Sequence, residues 1–225
     1  MATGQGNGAL RRVIVWDLAT RLFHWSVALL VAATYVTWRM NWMDWHAWTG
    51  DAVLALLFFR VLWGFVGSDS ARFARFVARP RAVAGYLAHL LVPAPDREAG
   101  HNPAGGWMVL LMLLLLLGQA ITGIIVNNEV AVTGPLGDLV SASIANLVTD
   151  LHAILWMALK AVVALHVTAI VLYLRVKGQN LVLPMLTGQK MLPREVPAPH
   201  LASAARALLA LAAGVSAAAV LAIFL

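Results

Sequence analysis

Asp150 to Arg175, DLHAILWMALKAVVALHVTAIVLYLR, is an apolar run long enough to cross a bilayer, yet it carries two histidines, His152 and His166. Their separation of fourteen residues places the imidazoles roughly 21 Å apart along a helix axis and returns them to within about 40° of one face. One helix therefore offers two nitrogen ligands at two membrane depths. Ionisable side chains are costly inside a membrane and usually face a bundle interior or a cofactor, so each imidazole needs something set against it.

The rest of the chain is of the same kind. Of 225 residues 61% are hydrophobic and 12% charged, and the mean hydropathy is +0.81, which places the chain among integral membrane proteins. The absence of cysteine excludes disulfides, thiolate-held zinc or iron–sulfur clusters, and covalent haem attachment through C-x-x-C-H. A formal charge of +6 does not indicate nucleic acid, because the basic residues fall in particular loops and form no continuous face. No cleavable signal peptide is evident at the N-terminus.

Hydropathy and helix-boundary residues predict five spans. Residues 1–10 read as a flexible tail within an N-terminal segment, 1–16. Asp17 then caps a first span that carries His24 and ends near Trp38. The Trp-rich link RMNWMDW suits a membrane–water interface. A second span runs from about Asp44 to Val66 with His46 at its start and Gly50 one turn on. Residues 71–91, with Arg, Phe and Val at helical spacing and Pro80 as a break, predict one or two amphipathic surface helices, or else a solvated basic linker.

Asn102 as N-cap and Pro103 as first helical residue open the third span, which reaches about Val126. The next loop has no Lys or Arg and has room for a short interfacial helix. The opening run is the fourth span. After a polar loop at 177–200, residues 201–225 are apolar enough for a fifth. The expected fold is all-α, a transmembrane four-helix core at 17–176 with an additional C-terminal fifth helix.

Twelve Lys and Arg fall in the N-terminal flank, the second-to-third loop and the fourth-to-fifth loop, against Arg39 alone on the other side. The N-terminus is therefore expected in the cytoplasm. That topology sorts the four intramembrane histidines by depth. His24 and His166 fall near the inner leaflet, and His46 and His152 near the outer one. Asp44 and Asp150 each stand two residues before a histidine, as if capping the helix there.

Two imidazoles facing across a bundle suit a six-coordinate haem iron with an apolar slot for the macrocycle. Gly50 would let a ring approach the backbone. A di-iron carboxylate site lacks its Glu residues, and zinc would need its ligands at one depth. Arg60, fourteen residues after His46, has two readings: pairing with a haem propionate or snorkelling to the inner headgroups. Arg21, one turn before His24, has the same two, with snorkelling preferred. His89, His101 and His200 lie in loops, His101 being close enough to the third span to touch an inner propionate. Lys160, near mid-membrane, calls for a buried partner such as Gln119 or a carbonyl.

VWDLATRLFHW, HAWTGDAVLALLFFRVLWGFVG, GHNPAGGWM, LHAILWMALKAVVALHV and NLVLPMLTGQK together resemble the bacterial cytochrome b561 family, which is similar to the b-type cytochrome subunit of nickel-iron hydrogenases. The resemblance covers about Val13 to Lys190. It implies two b-type haems, held by His24 with His166 and by His46 with His152. It also implies electron exchange between the quinone pool and a periplasmic partner such as a c-type cytochrome, in the bacterial inner membrane.

Two other functions stay open: a superoxide:quinone oxidoreductase at the outer face, and a haem-bearing anchor subunit of a redox complex. The outer side offers Arg39 beside Glu129, Asp138 and Asp150, which ranks steering of anionic superoxide lower. The fifth helix and Lys160 depart from the family pattern, and the fifth helix could support an oligomer.

Overall fold

The computed structural model describes all residues except 1–8, 91, 93–95, 128–133, 135 and 225, together with the side chains of 222–224. The start of the N-terminal tail, part of the second-to-third loop and the part of the outer loop that holds Glu129 thus lie outside the described residues. Five helices are long and apolar enough to span a membrane: α1 (Leu18–Arg39), α2 (Met43–Val66), α5 (Pro103–Ile125), α6 (Ala142–Lys177) and α8 (Ala204–Phe224). The short helices α3 (Phe73–Phe76) and α4 (Pro80–Ala88) separate α2 from α5 and form at the amphipathic stretch, with Pro80 opening the second. The fold is all-α with a transmembrane bundle, as expected.

Cap chemistry explains where two spans begin. The Asp17 carboxylate accepts from the Thr20 amide at 2.6 Å, and the Asn102 side chain accepts from Gly105 N at 2.8 Å with Pro103 behind it. Each satisfies an amide that the helix itself leaves free. The other two expected caps are corrected. Asp44 lies inside the first turn of α2, whose N-cap is Trp42, and Asp150 lies well inside α6, which starts at Ala142 behind Ser141. The residues before Asp150 have no helix breaker, so the helix continues about two turns past the apolar run. A 3-10 turn at Gly137–Leu139 is the short element of the outer loop.

The core is built in two helix pairs, α1 with α2 and α5 with α6, joined where α2 meets α5. Val27, Val53, Leu57, Leu113, Leu116 and Leu159 close around that junction. Glycines on α5 let α6 come near: a Cβ on Gly118 would stand 3.3 Å from Leu155, and one on Gly123 would stand 3.3 Å from the His152 ring.

A small sheet ties the ends of the core together. β1 (Leu10–Ile14) pairs antiparallel with β2 (Gln189–Pro193), from Leu10 opposite Pro193 to Ile14 opposite Gln189. Val13, Val15, Trp16 and Leu192 form a small apolar core beside it. Gly188, at φ +83°, ends α7 (Val182–Thr187), and its carbonyl accepts the amides of Val15 and Trp16 at 2.8 and 3.1 Å. A side chain there would be strained and would press on the Trp16 carbonyl. The Arg21 guanidinium, preferred at the headgroups, instead donates to the Leu186 carbonyl at 2.6 Å, so α1 is held by α7.

α8 runs along α2. Ala210, Gly214 and Ala218 recur every fourth residue, and the two alanines are buried. A Cβ on Gly214 would lie 2.7 Å from the Phe59 amide nitrogen and 2.9 Å from the Ala55 carbonyl, so the two backbones cross in near contact. The small-residue face of the fifth helix is thus turned onto its own chain, and Leu208, Leu209, Val215 and Val220 face outward. Its entry is fixed by Ala202 N donating to Ser68 Oγ and by Arg206 donating to the Val66 carbonyl.

Gly214→Val should lower the unfolding free energy in bicelles by about 1–3 kcal/mol, since backbone on α2 cannot give way. Leu209→Ala, on the outward face, should stay within about 0.5 kcal/mol of the parent. Equal stability of the Gly214→Val protein and the parent would mean that α8 does not cross α2 at this point.

Candidate functional site

One expected histidine pair faces across the bundle, and the other two histidines come near enough to interact electrostatically. His24 on α1 and His166 on α6 face each other with ring centroids 6.5 Å apart. A metal held by one nitrogen on each side at about 2 Å, with each ring centroid about 1 Å further back, requires roughly 6 to 6.5 Å. His24 Nδ1 is buried without a hydrogen-bond partner. His46 on α2 and His152 on α6 lie within electrostatic reach of each other. All four imidazoles are half-buried.

Hydrogen bonds select the tautomer of the outer pair. His46 Nδ1 lies 2.9 Å from the Thr34 carbonyl oxygen, which can only accept. Nδ1 therefore carries the proton and Nε2 keeps its lone pair. His152 Nδ1 lies 2.9 Å from Thr122 Oγ1, whose own hydroxyl donates back to the Gly118 carbonyl at 2.8 Å. The same tautomer results, and the Nε2 lone pair accepts from the Gln119 side-chain amide at 2.9 Å. Both imidazoles present a neutral Nε2, the state in which a histidine ligates metal while its other nitrogen is oriented by a second group.

Among the described residues no group of three or more His, Cys, Asp or Glu gathers as a metal cage. Two facing imidazoles without further ligands suit a metal whose remaining positions are filled by a macrocycle. Gly50 offers an open flank, since a Cβ there would meet no atom within 4 Å.

Arg60 does not snorkel. It is only 3% exposed, with its guanidinium carbon 5.2 Å from the Phe73 ring centroid, 5.9 Å from that of Phe76 and 6.0 Å from that of Phe23. Its Nη1 has no hydrogen-bond partner, and buried Asp17 supplies the opposite charge it feels. His101, expected in a solvated loop, lies 4.7 Å from both the Trp16 and Phe76 rings. Burial first, and then the nearby Arg60 charge, push its imidazole down to about 3, while the Ser70 backbone acts the other way. Its Nδ1 is likewise buried and unpartnered. The unpartnered nitrogen of the buried Arg60 cation favours an anion at the inner end of α2, whereas neutral His101, with its one N–H directed to the Ser70 backbone, leaves Nδ1 as an acceptor.

Lys160 also differs from expectation. It is exposed, its ammonium stands 5.6 Å from the Trp156 ring centroid, and Gln119 belongs to His152. His89 and His200 stay at the exposed surface. The contacts missed in the sequence are Thr122 and Gly123 on α5, together with the Gln119 to His152 contact. The available signal was the pair Gln119 and Thr122, three residues apart in an otherwise apolar span and hence on one face.

A model of the prokaryotic cytochrome b561 family matches residues 15–188. No curated protein and no solved structure matches the chain. The matched range contains all four histidines, Gly50 and Arg60, and ends before α8.

Asp17 links several of these groups: Trp63 Nε1 donates to Thr20 Oγ1 at 3.2 Å, and Thr20 Oγ1 donates to Asp17 Oδ2 at 3.0 Å. Asp17→Ala should destabilise the protein by about 1–3 kcal/mol, through the lost cap and the uncompensated Arg60. Asp17→Asn, which keeps a capping oxygen, should cost less. Chemical unfolding followed by Trp fluorescence measures both, and an Asp17→Ala protein as stable as the parent would remove the carboxylate from this network.

Proposed function

The chain belongs to the prokaryotic cytochrome b561 family, a multi-pass membrane b-type cytochrome of electron transfer, and on that premise we propose that it binds two haems and carries electrons between membrane quinone and a periplasmic redox partner. The histidines on three different spans carry this reading. Their 6.5 Å spacing at one level and their fixed tautomers at the other are what bis-imidazole ligation asks for.

His24 and His166 would hold the inner haem, and His46 and His152 the outer one. Bound there, haem supplies a one-electron couple at each of two membrane depths. The Thr34 carbonyl and Thr122 hydroxyl keep the Nδ1 protons of His46 and His152 and so aim each Nε2 inward. Gln119 must turn its amide away from His152 Nε2 for that nitrogen to ligate. Arg60 brings an unpartnered guanidinium nitrogen that could donate to a haem propionate. Gly50 keeps its flank free of side chain, so that a flat macrocycle can lie against α2.

The positive-inside distribution supports a cytoplasmic N-terminus in the bacterial inner membrane, with β1, β2 and α7 on the cytoplasmic side. Asp44, Asp138 and Asp150 are exposed at the opposite end, against Arg39. That surface favours a partner protein with a basic face over an anionic small substrate.

The purified protein should contain two b-type haems per chain by pyridine haemochrome assay, and a quinol should reduce them. His24→Ala and His152→Ala should each lose one haem, leaving the spectrum of the other. A single haem per chain, or retention of both haems in the His152→Ala protein, would overturn the assignment.

A further inference from the structure

The lateral seam between α1 and α6 carries an aromatic ladder that the haem ligands do not use. Trp156 on α6 stacks on Tyr35 of α1, with ring centroids 5.4 Å apart and planes 25° from parallel. Tyr35 leads to Trp38 at 6.0 Å, and the Arg39 guanidinium covers Trp38 at 5.7 Å. At the inner end of the ladder the Lys160 ammonium stands 5.6 Å from the Trp156 ring centroid. Lys160 and Tyr35 are exposed on the outer surface of the bundle.

Lys160 lies at the midpoint of α6, eighteen residues after Ala142 and seventeen before Lys177. Its stem is turned toward the outer end of the bundle, to the level where Trp156 stacks on Tyr35, four residues before α1 ends at Arg39. Among the described residues no carboxylate pairs with it. An exposed ammonium on the apolar surface of α6, with an aromatic face beside it, is placed to donate to an acceptor that arrives through the lipid.

We propose that Lys160, Trp156 and Tyr35 form the head-group site for the quinone, an inference that rests on the quinone-linked function above. A quinone head is a flat conjugated ring with two carbonyl acceptors on a lipid-soluble tail. Trp156 and Tyr35 supply faces for such a ring, Lys160 supplies the donor to a carbonyl, and the open seam lets the tail remain in lipid. The position also suits electron exchange with the outer haem site. Trp156 is one turn from His152, and Tyr35 follows the residue whose carbonyl holds His46.

The experiment uses the full-length haem-loaded protein in nanodiscs, with a decyl-tailed benzoquinol as reductant and an azido-benzoquinone as photolabel. Lys160→Met should raise the quinol concentration for half-maximal haem reduction about tenfold, with limiting rate and haem content within about twofold of the parent. Lys160→Arg should restore the affinity, and label on parent α6 should be lost from the Lys160→Met protein. Unchanged quinol dependence in the Lys160→Met protein, or label confined to other helices, would overturn the site while leaving the quinone-linked function standing. If parent haems are reduced by dithionite but by no quinol, the functional reading itself fails, and the site with it.

Discussion

An imidazole in hydrocarbon has two nitrogens of opposite character, and the bundle must provide for both. In the outer pair this requirement reaches deep into the architecture. The Thr34 carbonyl takes the His46 proton, and the Thr122 hydroxyl takes that of His152 because its own proton is already committed to the Gly118 carbonyl. Since backbone groups of a spanning helix are otherwise bonded within the helix, such acceptors are scarce. Helix placement must bring them to the histidines. α5 does so by being thin where it passes α6: Gly118 and Gly123 let the helices approach, and Gln119 and Thr122 then fall against the His152 ring.

The inner pair is governed by charge. Arg60 gives up water for three aromatic faces and a distant carboxylate, and His101 is held against the same group by Trp16 and Phe76. A buried guanidinium with a free nitrogen is costly unless an acceptor completes it. Its burial at the inner end of α2, against the Phe23 that precedes His24, is therefore informative about what that region is built to receive. The sheet, α7 and the Gly188 carbonyl brace this end, so the start of α1 is held from both sides.

What the sequence made legible follows from the range over which each signal acts. Span positions, the Asp17 and Asn102 caps and the break at Pro80 are local and were readable. The facing of His24 with His166 was readable because periodicity and topology together give depth as well as face. The strand pair joins segments about 180 residues apart with five residues each, and so short a strand has no pattern of its own. Asp150 was misleading because an acid before a histidine looks like a cap until the helix is seen to begin at Ala142. Gln119 was set against the wrong residue for a similar reason. Its depth relative to Lys160 and His152 depends on how α5 and α6 slide past each other, which neither helix's sequence states.

Lateral access to the two levels is also a matter of packing. α2 is covered by α1, α5 and α8, and the close crossing at Gly214 leaves little room between α2 and the added helix. α6 packs closely along α5. α1 and α6, by contrast, meet chiefly through side chains, at the His24 and His166 pair and at the stacked Tyr35 and Trp156. Rings can shift where backbones in contact cannot. The seam is accordingly the side on which a lipid-borne molecule can come near the histidines without separating helices, and Lys160 stands on that side.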